Sequence, residues 1–126
     1  MTKTVMIGLL SLACIVGCER NAEIGQDVTA GYVVANFRIT DPKAYASYPP
    51  AAVPTLIDNG AQILVADLES EAIEGQPDHV TLVIRFPSKD AARAWYSSAE
   101  YQDIIHLRTD NIEGQIVLAD AFAAPK

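Results

Sequence analysis

Cysteine, histidine and clustered basic residues are scarce in this sequence, and each scarcity argues against a class of protein. Both cysteines, Cys14 and Cys18, lie within the first 18 residues, so the rest of the chain has no thiol for a disulfide, a metal site or a nucleophile. The two histidines, His79 and His106, are far apart, and we expect no metal ion and no cofactor. Acidic residues outnumber basic ones by 16 to 9 without any basic cluster, so we expect no nucleic-acid binding.

The longest apolar run of the sequence lies near its start. Lys3 precedes apolar residues 5–16, a stretch too short for a permanent membrane-spanning helix, which needs roughly 20 residues. The pattern predicts a signal peptide at residues 1–17, followed by a polar tether at residues 18–30. An ordinary secretory signal and an uncleaved anchor are the alternatives.

The end of this run, Ile-Val-Gly-Cys at residues 15–18, resembles the bacterial lipobox, whose cysteine is lipidated and becomes the new amino terminus. Cys18 is therefore the predicted lipidation site. Cys14 fits less well, because Ser11 and not an aliphatic residue stands three positions before it. Glu19 follows Cys18, whereas an aspartate there favours retention at the inner membrane. The resemblance implies a lipid anchor at the periplasmic face of the outer membrane.

Alternating apolar and polar residues predict four β-strands in the remaining chain, at residues 32–39, 61–68, 80–86 and 115–122. Helical patterns fall between the first and second strands and between the third and fourth. The order β-α-β-β-α-β predicts a ferredoxin-like α+β sandwich over residues 31–122, with a tail at residues 123–126.

Capping residues and prolines indicate where the helices begin and break. Thr40 or Asp41 is expected to cap the first helix, and the prolines at positions 49, 50 and 54 predict a kink and a second piece over residues 51–59. Ser88 is expected to cap the helix after the third strand. Ser97 and Ser98 offer a second capping point, and the helical piece that follows is predicted to carry the residues from Tyr101 to Arg108.

Helices cover only one face of such a sheet, and the sequence predicts that the uncovered face is partly apolar. Partly apolar uncovered faces are typical of interfaces, so we expect a homodimer joined there. The two arginines on this face are expected either to form ion pairs or to bind an anionic ligand, since unpaired buried charges are costly. The predicted residues of this face are Tyr32, Val34, Asn36, Arg38, Thr81, Val83 and Arg85.

Three segments resemble the DUF1330 family: FRITDPKAYASYPPAAVPTLIDNGAQILV at residues 37–65, RFPSKDAARAWYSSAEYQDIIHLR at 85–108 and GQIVLAD at 114–120. The resemblance implies a dimeric α+β barrel, a superfamily that also includes small cofactor-free monooxygenases, and it implies no particular reaction. Members of the family are mostly cytosolic, so the predicted leader departs from the family pattern.

Candidate site residues cluster around the second helical region. His106 is the candidate acid or base, because Asp103 lies three residues earlier and could orient its ring. Tyr101 and Arg108 share a helical face and would position a substrate. The alternatives are a surface histidine and a packing face whose polar tips reach solvent. Two neighbouring aromatic residues are expected to be core or groove-wall residues, with ligand stacking as the alternative: Trp95 and Tyr96.

The sequence favours a lipid-anchored periplasmic module that binds a small organic or anionic ligand, or assists another protein, without a cofactor. A cofactor-independent enzyme, monooxygenase-like or isomerase-like, with a pocket between sheet and helices is the first alternative. A structural dimeric lipoprotein is the second. A deep pocket that reaches Arg108, Tyr101 or Trp95 would favour the enzyme, and a solid sheet–helix interface would argue against it.

Overall fold

A computed structural model of the protein describes residues 28–125. The predicted signal peptide, the predicted lipidation site Cys18 and most of the predicted tether lie outside the described residues. Within residues 28–125, no helix is long and apolar enough to cross a membrane.

The described residues form a ferredoxin-like α+β domain, as the sequence predicts. Its single sheet is antiparallel, with strand order β2-β3-β1-β4, so that β1 and β3 are central neighbours. The strands are β1 (Gly31–Ile39), β2 (Gln62–Asp67), β3 (Val80–Phe86) and β4 (Ile112–Asp120). The helices are α1 (Pro42–Tyr45), α2 (Tyr48–Asp58), α3 (Lys89–Ser97), α4 (Ala99–Ile104) and α5 (His106–Thr109).

Side-chain caps fix three of the helix starts. The Asp41 carboxylate accepts a hydrogen bond from the amide of Ala44 at 3.0 Å, so Asp41 and not Thr40 caps α1. Ser88 accepts one from Ala91 at 2.9 Å, as predicted, and Ser98 begins α4 in the same way. Gly60 follows the end of α2 with a φ of 73°, a conformation that glycine adopts without steric cost.

Three parts of the domain differ from the sequence prediction by more than one residue. Helix α2 begins at Tyr48 and not near residue 51, because Pro49 and Pro50 fall in its first turn, where amides have no partner within a helix. Strand β4 begins at Ile112, three residues earlier than predicted, and ends at Asp120. The piece predicted over residues 101–108 is divided into α4 and α5.

The core lies between the sheet and the helices. Alternate residues of β1, starting at Val33, point toward the helices and are buried. Val33 packs with side chains of α2, α3 and α4, whereas Ala35 and Phe37 form a second cluster with Val80, against which Tyr45 of α1 packs. The largest fully buried side chains are Tyr101, Phe37, Phe86 and Val80.

The face of the sheet without helices carries a straight row of valines, one from each strand. Val65 pairs with Val83, Val83 with Val34, and Val34 with Val117, so the row crosses the whole sheet. We call these four residues the valine row. This register confirms that Val34 and Val83 share the face opposite the core.

Polar rows flank the valine row on the same face. Arg38 forms ion pairs with Asp78 and with Glu113. The Asn36 amide donates to the carbonyl oxygen of Asp78 at 2.7 Å, and its Oδ1 accepts from the Asp78 amide at 2.9 Å. Asn36 therefore anchors the chain just before β3. Arg85 lies on this face as well, in register with Tyr32.

Candidate functional site

A cavity of about 560 Å³ lies between the helix-covered face of the sheet and helices α3 to α5. Its volume falls in the range of roughly 300–1,000 Å³ that is typical of small-molecule sites. The sheet supplies an apolar floor, with lining residues on β1, β3 and β4: Val33, Ala35, Phe37, Leu82, Ile84, Ile112, Gly114, Ile116, Val117 and Leu118. The sheet–helix interface is therefore hollow over part of its area.

Gly114 shapes one side of this floor. It has a φ of 153°, and a Cβ atom at this position would lie 2.4 Å from the carbonyl oxygen of Asn36 and 2.5 Å from the Cα of Phe37. These distances are far inside van der Waals contact, so a larger residue would push β4 away from β1. The glycine lets the two strands approach closely beside the cavity.

A chain of hydrogen bonds joins three polar side chains in the cavity wall. Arg108 donates from Nε to the Tyr101 hydroxyl at 3.1 Å, and the hydroxyls of Tyr101 and Tyr48 are 2.8 Å apart. Tyr48 comes from the first turn of α2, Tyr101 from α4 and Arg108 from α5. The chain therefore links three helices around the cavity.

Tyr48 and Arg108, the two ends of this chain of hydrogen bonds, each keep one protonation state near neutral pH. Burial raises the pKa of Tyr48 far above its ordinary value, and the neighbouring Tyr101 hydroxyl raises it further, so Tyr48 stays neutral. Burial lowers the pKa of Arg108, but the charge interaction and hydrogen bond with Tyr101 outweigh it, and the net shift is upward. Arg108 is therefore a permanent cation.

Aromatic rings form the wall beside this chain. The Trp95 ring lies 4.0 Å from that of Tyr101 and 5.3 Å from that of Phe86, measured between centroids. Its indole N–H donates to Thr55 Oγ1 at 3.0 Å, which orients the ring. Tyr96 lines the same cavity but is 47% exposed, so it stands near the opening. Tyr96 offers the ring face against which a ligand can stack, since Trp95 and Tyr101 are only 3% and 1% exposed.

The charged residues that line the cavity are both arginines, Arg93 and Arg108. Arg93 is exposed and pairs with Asp90 at 2.8 Å. No acidic residue and no histidine lines the cavity among the described residues. Residues 28–125 also contain no cluster of histidine, aspartate and glutamate suited to a metal ion.

The structure brings together four of the residues that the sequence singled out, namely Trp95, Tyr96, Tyr101 and Arg108, which all line the cavity. It leaves His106 exposed at the start of α5 and outside the cavity lining. The remaining candidates, Asn36, Arg38 and Arg85, lie on the opposite face of the sheet. A role for His106 as acid or base stays a prediction.

Sequence reasoning missed Tyr48 as a site residue and left open whether the tip of Arg108 reaches a substrate or solvent. The spacing of Tyr45, Tyr48 and Ala52 in the sequence indicates one buried helical face, but it does not identify the hydrogen-bond partner of Tyr48. The pairing of Tyr48 with Tyr101 joins residues 53 positions apart. No local pattern reports such a contact.

Residues 30–122 match a family described as "Domain of unknown function (DUF1330)". The chain belongs to this family. The DUF1330 match covers every strand and helix of the domain, including the whole cavity lining. Comparison with curated proteins gives no match.

Solved structures similar to this DUF1330 domain share its fold at low sequence identity. A protein of unknown function from Rhodopseudomonas palustris superposes with a TM-score of 0.65 and 14% identity, covering 77% of this chain and 85% of that chain. SnoaB, a cofactor-independent oxygenase from Streptomyces nogalater, superposes with a TM-score of 0.55 and 12% identity, covering 78% and 95%. A conserved protein from Methanosarcina mazei has a TM-score of 0.51 and 13% identity, covering 75% and 95%. At these identities the likeness concerns the fold alone.

Proposed function

We propose that this DUF1330 protein is a lipid-anchored periplasmic module that binds a small organic ligand in the cavity between its sheet and its helices. The observation that carries the proposal is the cavity itself. Its apolar floor, its aromatic wall and a few converging polar groups have the composition of a small-molecule site. A purely structural role would leave this hollow unexplained, because protein interiors are otherwise closely packed.

The proposal includes a homodimer that forms through the open face of the sheet. The valine row supplies an apolar strip there, and Val117 and Val65 are 54% and 40% exposed. Covering such a strip with a second copy removes apolar area from water, at about 25 cal/mol per Å². Apart from Val117, the residues that line the cavity lie outside the valine row, so pairing would leave most of the cavity open to ligand.

The membrane attachment rests on the lipobox-like residues 15–18. Mass spectrometry of the protein extracted from the outer-membrane fraction should find a diacylglyceryl group on Cys18. A soluble mature form that begins at another residue would contradict this part of the proposal. Cys14→Ser is the matched control and should leave the lipidation unchanged.

Ligand binding is best tested by a thermal-shift screen of small metabolites. The soluble chain of residues 19–126 is suitable, because all four strands and both core clusters lie between Ala30 and Asp120. A ligand that binds only the folded state raises the melting temperature. The screen should return a chemically related set of compounds, and an empty screen would contradict the proposal.

A cofactor-independent enzyme is the second candidate. The cavity reaches Arg108, Tyr101 and Trp95, and this is the arrangement that favours an enzyme over a solid interface. SnoaB, whose fold is similar, is such an oxygenase. Compounds from the screen should be incubated in air with the protein and followed by mass spectrometry. Recovery of unaltered compounds supports a binding module, whereas a mass change that requires Arg108 or Tyr101 supports an enzyme.

A further inference from the structure

Arg108 is a buried cation without an anionic partner among the described residues. Its side chain lies in the cavity wall, and the residue is only 8% exposed. Within residues 28–125, no carboxylate forms an ion pair with it. A buried charge in a protein is normally paired, because burial in a low-dielectric environment removes the solvation of the ion.

The hydrogen bonds of Arg108 use one part of its guanidinium group. Nε donates to Tyr101, while Nη1 and Nη2 have no hydrogen-bond partner among the described residues. No enclosed side-chain nitrogen or oxygen of residues 28–125 lacks a partner, so these two Nη groups must keep access to open space. Because Arg108 lines the cavity, that space is the cavity.

The overall charge of the protein does not explain a cationic cavity. The chain carries a net charge of −7, yet the charged lining residues are both arginines. Arg93 is already paired with Asp90, so Arg108 alone retains an unbalanced positive charge there. One such charge matches one negative charge on a ligand.

We propose, on the basis of the small-ligand function proposed above, that the ligand is an organic monocarboxylate with an aromatic or other flat apolar body. The carboxylate accepts hydrogen bonds from Nη1 and Nη2 of Arg108, in the two-pronged geometry that pairs guanidinium with carboxylate. The body of the ligand lies against Tyr96, the exposed ring of the cavity wall, and over the apolar floor of the sheet. A dianion such as a phosphate monoester fits less well, because no second unpaired cation lines the cavity among the described residues.

Three probes of equal shape and different charge test this inference: naphthylacetate, the neutral naphthylacetamide and the cationic naphthylethylamine. Isothermal titration calorimetry on residues 19–126 measures each affinity. Naphthylacetate should bind at least about tenfold more tightly than the amide, and the amine should bind most weakly. This comparison uses the unmodified sequence of the domain, so it does not depend on how any variant folds.

Variants then identify the residue that causes the preference for naphthylacetate over the amide. Arg108→Gln should lower the affinity for naphthylacetate at least about tenfold and change that for the amide less than about threefold. Arg108→Lys keeps the charge without the two-pronged geometry and should fall between. Lys89→Gln is the matched control, since it removes a cation of α3 that pairs with Asp120 and lies outside the cavity lining, and it should change neither affinity by more than about threefold. Circular dichroism confirms the fold of each variant.

The outcomes separate this inference from the function on which it rests. Equal affinity for acid and amide, or an acid affinity that survives Arg108→Gln, would overturn the monocarboxylate and leave a cavity that binds ligands. The same holds if none of the three probes binds while the metabolite screen returns other compounds. If the screen is also empty, the proposed function is wrong as well.

Discussion

The two faces of the sheet are built from the same strands and differ in what lies against them. On one face, Val33, Ala35 and Phe37 are buried beneath helices that leave a cavity of about 560 Å³. On the other, Val34 belongs to a row of half-buried and exposed valines with no covering layer among the described residues. Charge differs too, since Arg108 of the cavity has no carboxylate partner among the described residues, whereas Arg38 of the open face has two.

This difference predicts separate roles for the two faces of the sheet. Alternation along a strand sends successive side chains to opposite faces, so one strand can shape a ligand site and an interface at once. Residues of the covered face should determine stability and ligand binding. Residues of the open face should determine association and leave ligand binding unchanged.

The largest effect is expected on the covered face. Trp95→Ala removes a ring that is 3% exposed and that contacts both Tyr101 and Phe86. It should lower the free energy of unfolding by about 3–5 kcal/mol, as large aromatic truncations in cores do. Denaturant titration of residues 19–126 measures this loss.

Tyr96→Ala is the control for that experiment, because Tyr96 follows directly in α3, lines the same cavity and is half exposed. Tyr96→Ala should lower the free energy of unfolding by only about 1 kcal/mol. A loss below about 1 kcal/mol for Trp95→Ala would contradict the view that this residue is part of the core, and it would place the indole in an open groove.

The next effect concerns the open face. Val34→Glu places a carboxylate in the middle of the valine row, and in a dimer formed through this face the two symmetry-related copies would both enter the interface. Arg38 is already engaged by Asp78 and Glu113, so it offers little compensation. The dimer dissociation constant should rise by at least about 100-fold, which corresponds to about 2.7 kcal/mol. Sedimentation equilibrium measures this change.

Ile57→Glu is the matched control for association. Ile57 is as apolar as Val34 and 66% exposed, but it lies on α2 and so on the helix side of the domain. It should leave the dimer intact. A monomeric unmodified domain at tens of micromolar would rule out the barrel, and a dimer that survives Val34→Glu would move the interface elsewhere.

The chain of hydrogen bonds in the cavity wall predicts a smaller effect, which is a fall in the free energy of unfolding at alkaline pH. Burial raises the pKa of Tyr48 above its ordinary value of 10.0, so the unfolded chain loses this proton at a lower pH than the folded one does. The stabilisation that comes from the neutral Tyr48 hydroxyl is complete below pH 10. Above pH 10 it is lost, at up to about 1.4 kcal/mol per pH unit.

Urea titration at a series of alkaline pH values measures this loss of stability. Tyr48→Phe should remove its share of the slope while keeping the shape of the side chain. Tyr45, whose pKa is also raised by burial, will leave a residual slope. An identical slope in Tyr48→Phe would show that this hydroxyl is not held in its neutral form by burial.

Much of the fold follows from local signals in the sequence. Alternation predicts the two faces of β1 and β3, and the caps at Asp41 and Ser88 place two helix starts. The start of β4 was wrong, because Gly114 is a poor strand former and lowers the signal of residues 112–114. The pairing of Phe37 with Gly114, which requires the absence of a side chain, extends the strand across this residue.

The site was less accessible from the sequence than the fold. The sequence places Tyr101 and Arg108 on one helical face, but whether a polar tip points to solvent or into a cavity depends on distant elements. The break between α4 and α5, together with Tyr48 from the first helical region, encloses Arg108 in the structure. Contacts between residues so far apart in the chain leave no trace in local periodicity.

The central claim is that the cavity is the functional site, and a variant that fills it gives the most direct test. Ala35 is 2% exposed and lies on the cavity floor, so Ala35→Leu extends a branched apolar side chain into the hollow. The metabolite thermal-shift screen should be run in parallel on residues 19–126 with and without this change. We predict that the unmodified domain gives ligand-dependent shifts and that Ala35→Leu, with an equal or higher melting temperature in the absence of ligand, gives none. The same shifts in both proteins, or none in the unmodified domain, would contradict the claim.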